Sequence, residues 1–282
     1  MPSHQAPTTH IVFSHANSYG AGTYRVLFAA LKARGLVVDA IDKFGHDPRY
    51  PVTNNWPHLV QQLVDFTQAS VESTGGAPVF LVGHSLGGFL SLMAASQAPK
   101  LVRGVLLLDS PIVGGWRATA LGLAKRTQLV GSVSPGAVSR KRREHWPDQA
   151  AALAHFKSKR AFAKWHPQVL EDYIAHGTHD AEHNGKTQRV LSFKRDIETA
   201  IYNTLPSNME ALLSQRPVKC PVAFIGGTQS AEIKQVGMST TQRITHGRIL
   251  MLDGSHLFPM ERPQTTAATM EAALLNLSKS AF

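Results

Sequence analysis

Gly83-His84-Ser85-Leu86-Gly87, with Gly88 following, has the form G-x-S-x-G. Residues of these types at this spacing suit one kind of chemistry, attack by a serine hydroxyl. A serine is a weak nucleophile until a base takes its proton and donors meet the charge it creates. On a sharp strand-to-helix turn it must adopt strained backbone angles, and side chains on its neighbours would collide. Such a turn lifts the Ser85 hydroxyl above a sheet. It also sets the Leu86 N–H at a helix N-terminus, where negative charge is favoured. The pentapeptide alone is unspecific. Its flanks give it weight, because the apolar run "PVFLVG" precedes it and "GGFLSLMAAS" follows. Ser85 is therefore read as a nucleophile, with a tight structural turn as the plainer account.

Other chemistries find no support. Despite 14 histidines, no Cys, His and carboxylate cluster stands at metal-ligand spacing. No dinucleotide or P-loop fingerprint occurs, so the expected chemistry is cofactor-free and metal-free. The single cysteine, Cys220, excludes an internal disulfide and fits a reducing compartment. The N-terminus has no basic region followed by an apolar run, and no stretch approaches a membrane span. A soluble, cytoplasmic protein is expected. The formal charge is +10. Part of the excess lies in "SRKRREHW", residues 139–146, read as a solvated helix face or as an anion-attracting rim near a substrate entrance. No motif for nucleic acid accompanies it, and none is expected as a partner.

The elements around Ser85 alternate. Apolar runs at 10–15, 36–42, 77–83, 102–111, 220–227 and 247–254 read as strands. Helical periodicity marks 23–35, 56–71 and 262–278 between and after them. This alternation predicts an α/β fold with a mostly parallel sheet covered on both faces. From Pro111 to Pro217 the rhythm changes. Helical stretches at 155–166 and 166–177 dominate there, and only 188–196 looks extended. An insertion between two strands of a parallel sheet falls where such folds bind ligands, and reads as a lid or cap.

The order of these pieces resembles the α/β-hydrolase fold with a helical cap. The resemblance runs from "IVFSHANSYGAGTYR" through "DKFGHDPRYP", "LVGHSLGG" and "LLLDSP" to "LDGSHLFPMERP", nearly the whole chain. It implies a core domain over residues 1–110 and 218–282 and a helical cap over 111–217. In that family the loop after the first strand often reads His-Gly-x, its third position lending a backbone N–H to an oxyanion hole. The match here is His15-Ala16-Asn17. The resemblance thus makes Asn17 and Leu86 the two oxyanion donors, with His15 buttressing the loop. The family's base lies after the last strand, where "ILMLDGSHLFPMERP" places His256. It would take the Ser85 proton and pass it to the leaving group.

The acid that orients such a histidine most often follows the penultimate strand. In "GGTQSAE" that place falls on Gln229 or Ser230, and neither can be an anion. Asp109, ending "GVLLLD", stands where some relatives, certain haloalkane dehalogenases among them, carry the acid instead. Asp109 is favoured, Glu232 is the alternative acid, and a dyad without a dedicated acid stays open. Asp253 is read as a strand-end cap, and "GHDPRYP" (45–51) as architecture. Trp116, Trp146, Trp165, Phe156, Phe162, Tyr173 and Tyr202 are read mainly as packing within the cap, one or two lining an acyl pocket. The expected activity is a serine hydrolase cleaving an ester-like bond of a small or medium acyl substrate through an acyl-enzyme. A carbon–carbon bond hydrolase, a lactonase or an acyltransferase would use the same residues. A small-molecule binder that kept the fold is the non-enzymatic alternative.

Overall fold

Strands covered on both faces must be apolar at odd and even positions alike. The computed structural model describes residues 9–114, 136, 139–183 and 185–280, and shows where these runs go. His10–Ser14 (β1), Val37–Ala40 (β2), Val79–His84 (β3), Val102–Leu108 (β4), Val222–Gly227 (β8) and Ile249–Leu252 (β9) form one six-stranded sheet. Its order is β2-β1-β3-β4-β8-β9, and every neighbouring pair is parallel.

Alternation along each strand divides the core. Ile11, Phe13, Val82, Leu106 and Leu108 point into one apolar cluster, closed by helix α1 (Arg25–Lys32) and the C-terminal helix Pro263–Lys279. Val12, Leu81, Val105 and Leu107 point into the other, closed by α2 (Pro57–Ser73) and α3 (Leu86–Gln97). Each such fully buried side chain contributes roughly 1.5–3 kcal/mol of hydrophobic stabilisation. The expected parallel sheet with helices on both faces is what forms.

The segment between β4 and β8 is not helical throughout. It holds helices α4 (Gln149–Lys157), α5 (Pro167–Gly177), α6 (Arg195–Asn203) and α7 (Met209–Gln215). It also holds a three-stranded antiparallel sheet in the order β5-β7-β6, from His145–Trp146 (β5), Thr178–His183 (β6) and Lys186–Leu191 (β7). Residues 155–166 are not one helix, because α4 stops at Lys157 and only a 3-10 turn, Arg160–Phe162, follows. β6 reads "THDAEH", without apolar alternation, so periodicity misses it. In the sequence Asn184-Gly185 stands between the two strands, a hairpin signal that would have found it, and Gly185 has φ 71°.

Trp146, Phe156, Trp165 and Tyr173 are buried and pack ring against ring, Phe156 lying 5.2 Å from Trp146 and 5.1 Å from Tyr173. Trp116 lies outside the described residues. The Lys194 N–H donates to His46 Nε2 at 3.0 Å, tying loop 45–51 to the insertion. Among the described residues no helix is long and apolar enough to cross a membrane.

One close approach governs how β1 and α3 meet. A Cβ on Gly87 would lie 2.0 Å from the Ser14 carbonyl oxygen, a backbone atom with nowhere to retreat. Gly35 has φ 79° and open space around it. Gly87→Ala should therefore destabilise the fold by about 3 kcal/mol or more. Gly35→Ala should cost only the left-handed strain of about 1–2 kcal/mol. Urea unfolding of the two variants compares them directly.

Candidate active site

β3 ends at His84 and α3 begins at Leu86, leaving Ser85 alone on the turn with φ 53° and ψ −115°. The turn is held by hydrogen bonds around it. Ser85 N–H donates to the Leu108 carbonyl at 3.0 Å, and the Ser110 hydroxyl donates to the Ser85 carbonyl at 2.9 Å. The glycines are there for want of space. A Cβ on Gly83 would meet the Gly87 backbone at 2.1 Å, and one on Gly88 would meet Ser110 Oγ at 2.1 Å. Ser85 is half-buried, and its hydroxyl has no hydrogen-bond partner among the described residues.

The loop after β1 packs beside this turn. Asn17 and Leu86 are both buried, and neither backbone N–H has an acceptor among the described residues. The neighbouring amides are engaged. Ala16 N–H donates to the Tyr24 hydroxyl at 3.0 Å, and Ser18 N–H to Asn17 Oδ1 at 3.1 Å. His15 buttresses the loop from below. Its Nδ1–H donates to the Ala16 carbonyl at 2.8 Å and its Nε2 accepts from Phe44 N–H at 3.0 Å.

His256 lies between β9 and the C-terminal helix, in a loop pinned on both sides. Ser255 Oγ donates to Glu261 Oε1 at 2.5 Å and accepts from Leu257 N–H at 3.0 Å. A Cβ on Gly227 would lie 2.4 Å from the Ser255 carbonyl, so the end of β8 also presses on this loop. His256 Nδ1 donates to Asp109 Oδ2 at 2.7 Å. Glu232 Oε2 is 3.7 Å from the same nitrogen, and its side chain is 44% exposed. Asp109 is fully buried. Its Oδ1 accepts from Gly227 N–H at 2.7 Å, and its Oδ2 also accepts from the Ser230 hydroxyl at 2.6 Å. Asp253 stands apart, with Arg262 Nη2 at 2.5 Å from Oδ2.

The structure therefore brings Asp109 and His256 together and keeps Glu232 at the rim. Donor atoms of Asp109, Glu232 and His256 lie within 4.8 Å of one another, a set able in principle to hold a metal ion. The 2.7 Å separation of Nδ1 and Oδ2 is a direct hydrogen bond, with no room for an ion between them. Burial, the largest single influence on His256, acts to lower its pKa. The Asp109 hydrogen bond and the charges of Glu232 and Asp109 outweigh it and leave the pKa raised above 6.5.

Two residues not singled out in the sequence join these loops. The Tyr24 hydroxyl, which accepts from Ala16 N–H, stands 2.8 Å from His84 Nδ1. His84 Nε2 stands 2.9 Å from the His256 carbonyl. A carbonyl only accepts, so the proton sits on Nε2 and Nδ1 accepts from Tyr24. One directed path thus links the Asn17 loop, the Ser85 turn and the His256 loop. His84 is only the variable position of its motif, and Tyr24 is 60 residues away. No spacing rule pairs them.

Burial keeps both structural histidines neutral. It lowers the His84 pKa to about 3 and the His15 pKa to about 4. In the unfolded chain both protonate near 6.5, so between about pH 4 and 6.5 that state holds up to about two more protons. These two sites therefore contribute stability that grows as pH rises across this window. Urea unfolding across it should show that rise. Each of His15→Gln and His84→Gln should remove about one proton from the slope, whatever it costs in stability.

The model of the "Alpha/beta hydrolase family" matches residues 11–269. A monoglyceride lipase homolog from monkeypox virus is 28% identical over 177 residues, 58% of this chain and 63% of that protein. The monoglyceride lipase of Rattus norvegicus is 31% identical over 110 residues, 38% of this chain and 36% of that enzyme. The match thus spans less than two thirds of either relative's length. Among solved structures, a peroxisomal alpha-beta-hydrolase from Saccharomyces cerevisiae shares the fold with a TM-score of 0.70 at 16% identity. That likeness covers 98% of this chain and 79% of the yeast protein. With a matched model over nearly its full length, an elbow serine and a histidine after the last strand, the chain belongs to the alpha/beta hydrolase family.

Proposed function

We propose that this hydrolase cleaves an ester-like bond of a small or medium acyl substrate through an acyl-enzyme on Ser85. The observation that carries the reading is the fully buried Asp109 carboxylate 2.7 Å from His256 Nδ1. A carboxylate there holds the proton on Nδ1 and turns the Nε2 lone pair outward as a base. His256 Nε2 takes the Ser85 proton as Oγ attacks the carbonyl carbon. The imidazolium that forms is stabilised by the Asp109 carboxylate beside it. Negative charge builds on the carbonyl oxygen, which accepts hydrogen bonds donated by the Asn17 and Leu86 N–H groups. The tetrahedral adduct collapses, and His256 gives its proton to the leaving oxygen. A water then repeats the sequence on the acyl-enzyme and frees the acid. The chemistry needs no cofactor. Kinship to proteins named monoglyceride lipases supports an ester as the substrate class.

Labelling by a fluorophosphonate and turnover of a p-nitrophenyl ester test this, and both should vanish in Ser85→Ala. A wild-type protein that neither labels nor turns over sinks the reading. Asp109→Asn should lower kcat by about 10⁴-fold, while Glu232→Gln stays within a few-fold of wild type. The reverse ranking would move the acid to Glu232. Activity requires neutral His256, so kcat/KM should rise with pH through a midpoint above 6.5. In Asp109→Asn that midpoint should move to lower pH, because the hydrogen bond and charge that raise it are gone.

A further inference from the structure

Among the described residues, the one buried ion pair that touches the loop after β1 is made by Glu198 and Arg142. Glu198 lies on α6, with little of its surface exposed. It holds both residues of the loop tip. Its backbone carbonyl accepts from Asn17 Nδ2 at 3.0 Å, and its Oε1 accepts from the Ser18 hydroxyl at 2.5 Å. Ser18 has φ 78°, a left-handed angle that a serine keeps only when its surroundings impose it.

A buried carboxylate needs a matching charge. Arg142 supplies it, with Nη1 3.0 Å from Glu198 Oε2. Arg142 is fixed in turn. Its Nη2 donates to the Tyr173 hydroxyl, and its guanidinium stands 5.7 Å from the Phe156 ring centre. Arg142 belongs to the basic run 139–146, yet its side chain is 19% exposed and turned inward. The run is thus not a solvated helix face at this position. Nor is Arg142 free for an outside anion, since Glu198 already neutralises it.

We propose that Glu198 and Arg142 are positioning residues that hold the Asn17 N–H where a developing oxyanion needs it. This inference rests on the acyl-enzyme reading, with Asn17 as an oxyanion donor. The pair acts through Asn17 and Ser18 and touches no reacting atom. Its effect is confined to the transition state, because a ground-state carbonyl carries little of the charge that the donor must meet.

The test measures kcat and KM for a p-nitrophenyl ester, and the Kd of an alkyl boronic acid that forms a tetrahedral adduct on Ser85. Glu198→Ala should lower kcat by about 10²-fold and weaken the boronic acid in proportion, with KM changed by less than about threefold. Glu198→Gln retains an acceptor for Ser18 and should recover part of that loss. Ser18→Ala and Arg142→Met should fall between, and Arg142→Lys should restore activity toward wild type. If Glu198→Ala fails to fold, Ser18→Ala and Arg142→Lys against Arg142→Met decide the matter. Folded variants with wild-type kcat, or with losses in KM alone, overturn the positioning role. A wild-type protein that Ser85-directed fluorophosphonate does not label overturns the acyl-enzyme reading itself, a different failure.

Discussion

A carboxylate with no access to water must be met by donors from the protein, and Asp109 sets that demand at the centre of the fold. Three groups answer it: the Gly227 N–H at the end of β8, the Ser230 hydroxyl just beyond, and His256 Nδ1 after β9. Left unmatched, the charge would cost far more than any one of these bonds returns. Three adjacent strands are therefore held to one register at their carboxyl ends. That is the edge where a parallel sheet gathers its ligand-facing loops.

The turn "GGTQSAE" takes its meaning from this constraint. The resemblance leads one to expect an acid at Gln229 or Ser230, and neither residue can be an anion. Here Ser230 caps the helix Ala231–Val236 by accepting from Ile233 N–H, and gives its own proton to Asp109 at 2.6 Å. Glu232 Oε2 is 3.3 Å from the same hydroxyl. A serine has one proton to donate, and the shorter contact to the buried carboxylate takes it. The carboxylate that meets His256 stands at the end of β4, and Ser230, just past the end of β8, is one of its donors.

Around this centre two further networks hold the loops in place. One runs through Tyr24 and His84 beneath the Ser85 turn, and burial keeps its histidine neutral. The other descends from the insertion through Arg142 and Glu198 to Asn17 and Ser18. The first is part of the sheet domain itself. The second makes the geometry of a β1 loop depend on residues more than a hundred positions later in the chain.

The chain's local pattern carried a good deal. Short apolar runs announced the strands, and the glycines around Ser85 announced the elbow, because both reflect constraints between near neighbours. The same locality explains the misses. β6 has no apolar alternation, and "SRKRREHW" looks uniformly solvent-loving although Arg142 turns inward. Whether Asp109 or Glu232 meets His256 stayed open in one dimension, since both carboxylates precede it in the right order. Only the folded geometry separates 2.7 Å from 3.7 Å. Residue pattern encodes which elements form. A hydrogen bond between residues 147 apart depends on how those elements pack, to within a fraction of an ångström, and no spacing along the chain records that.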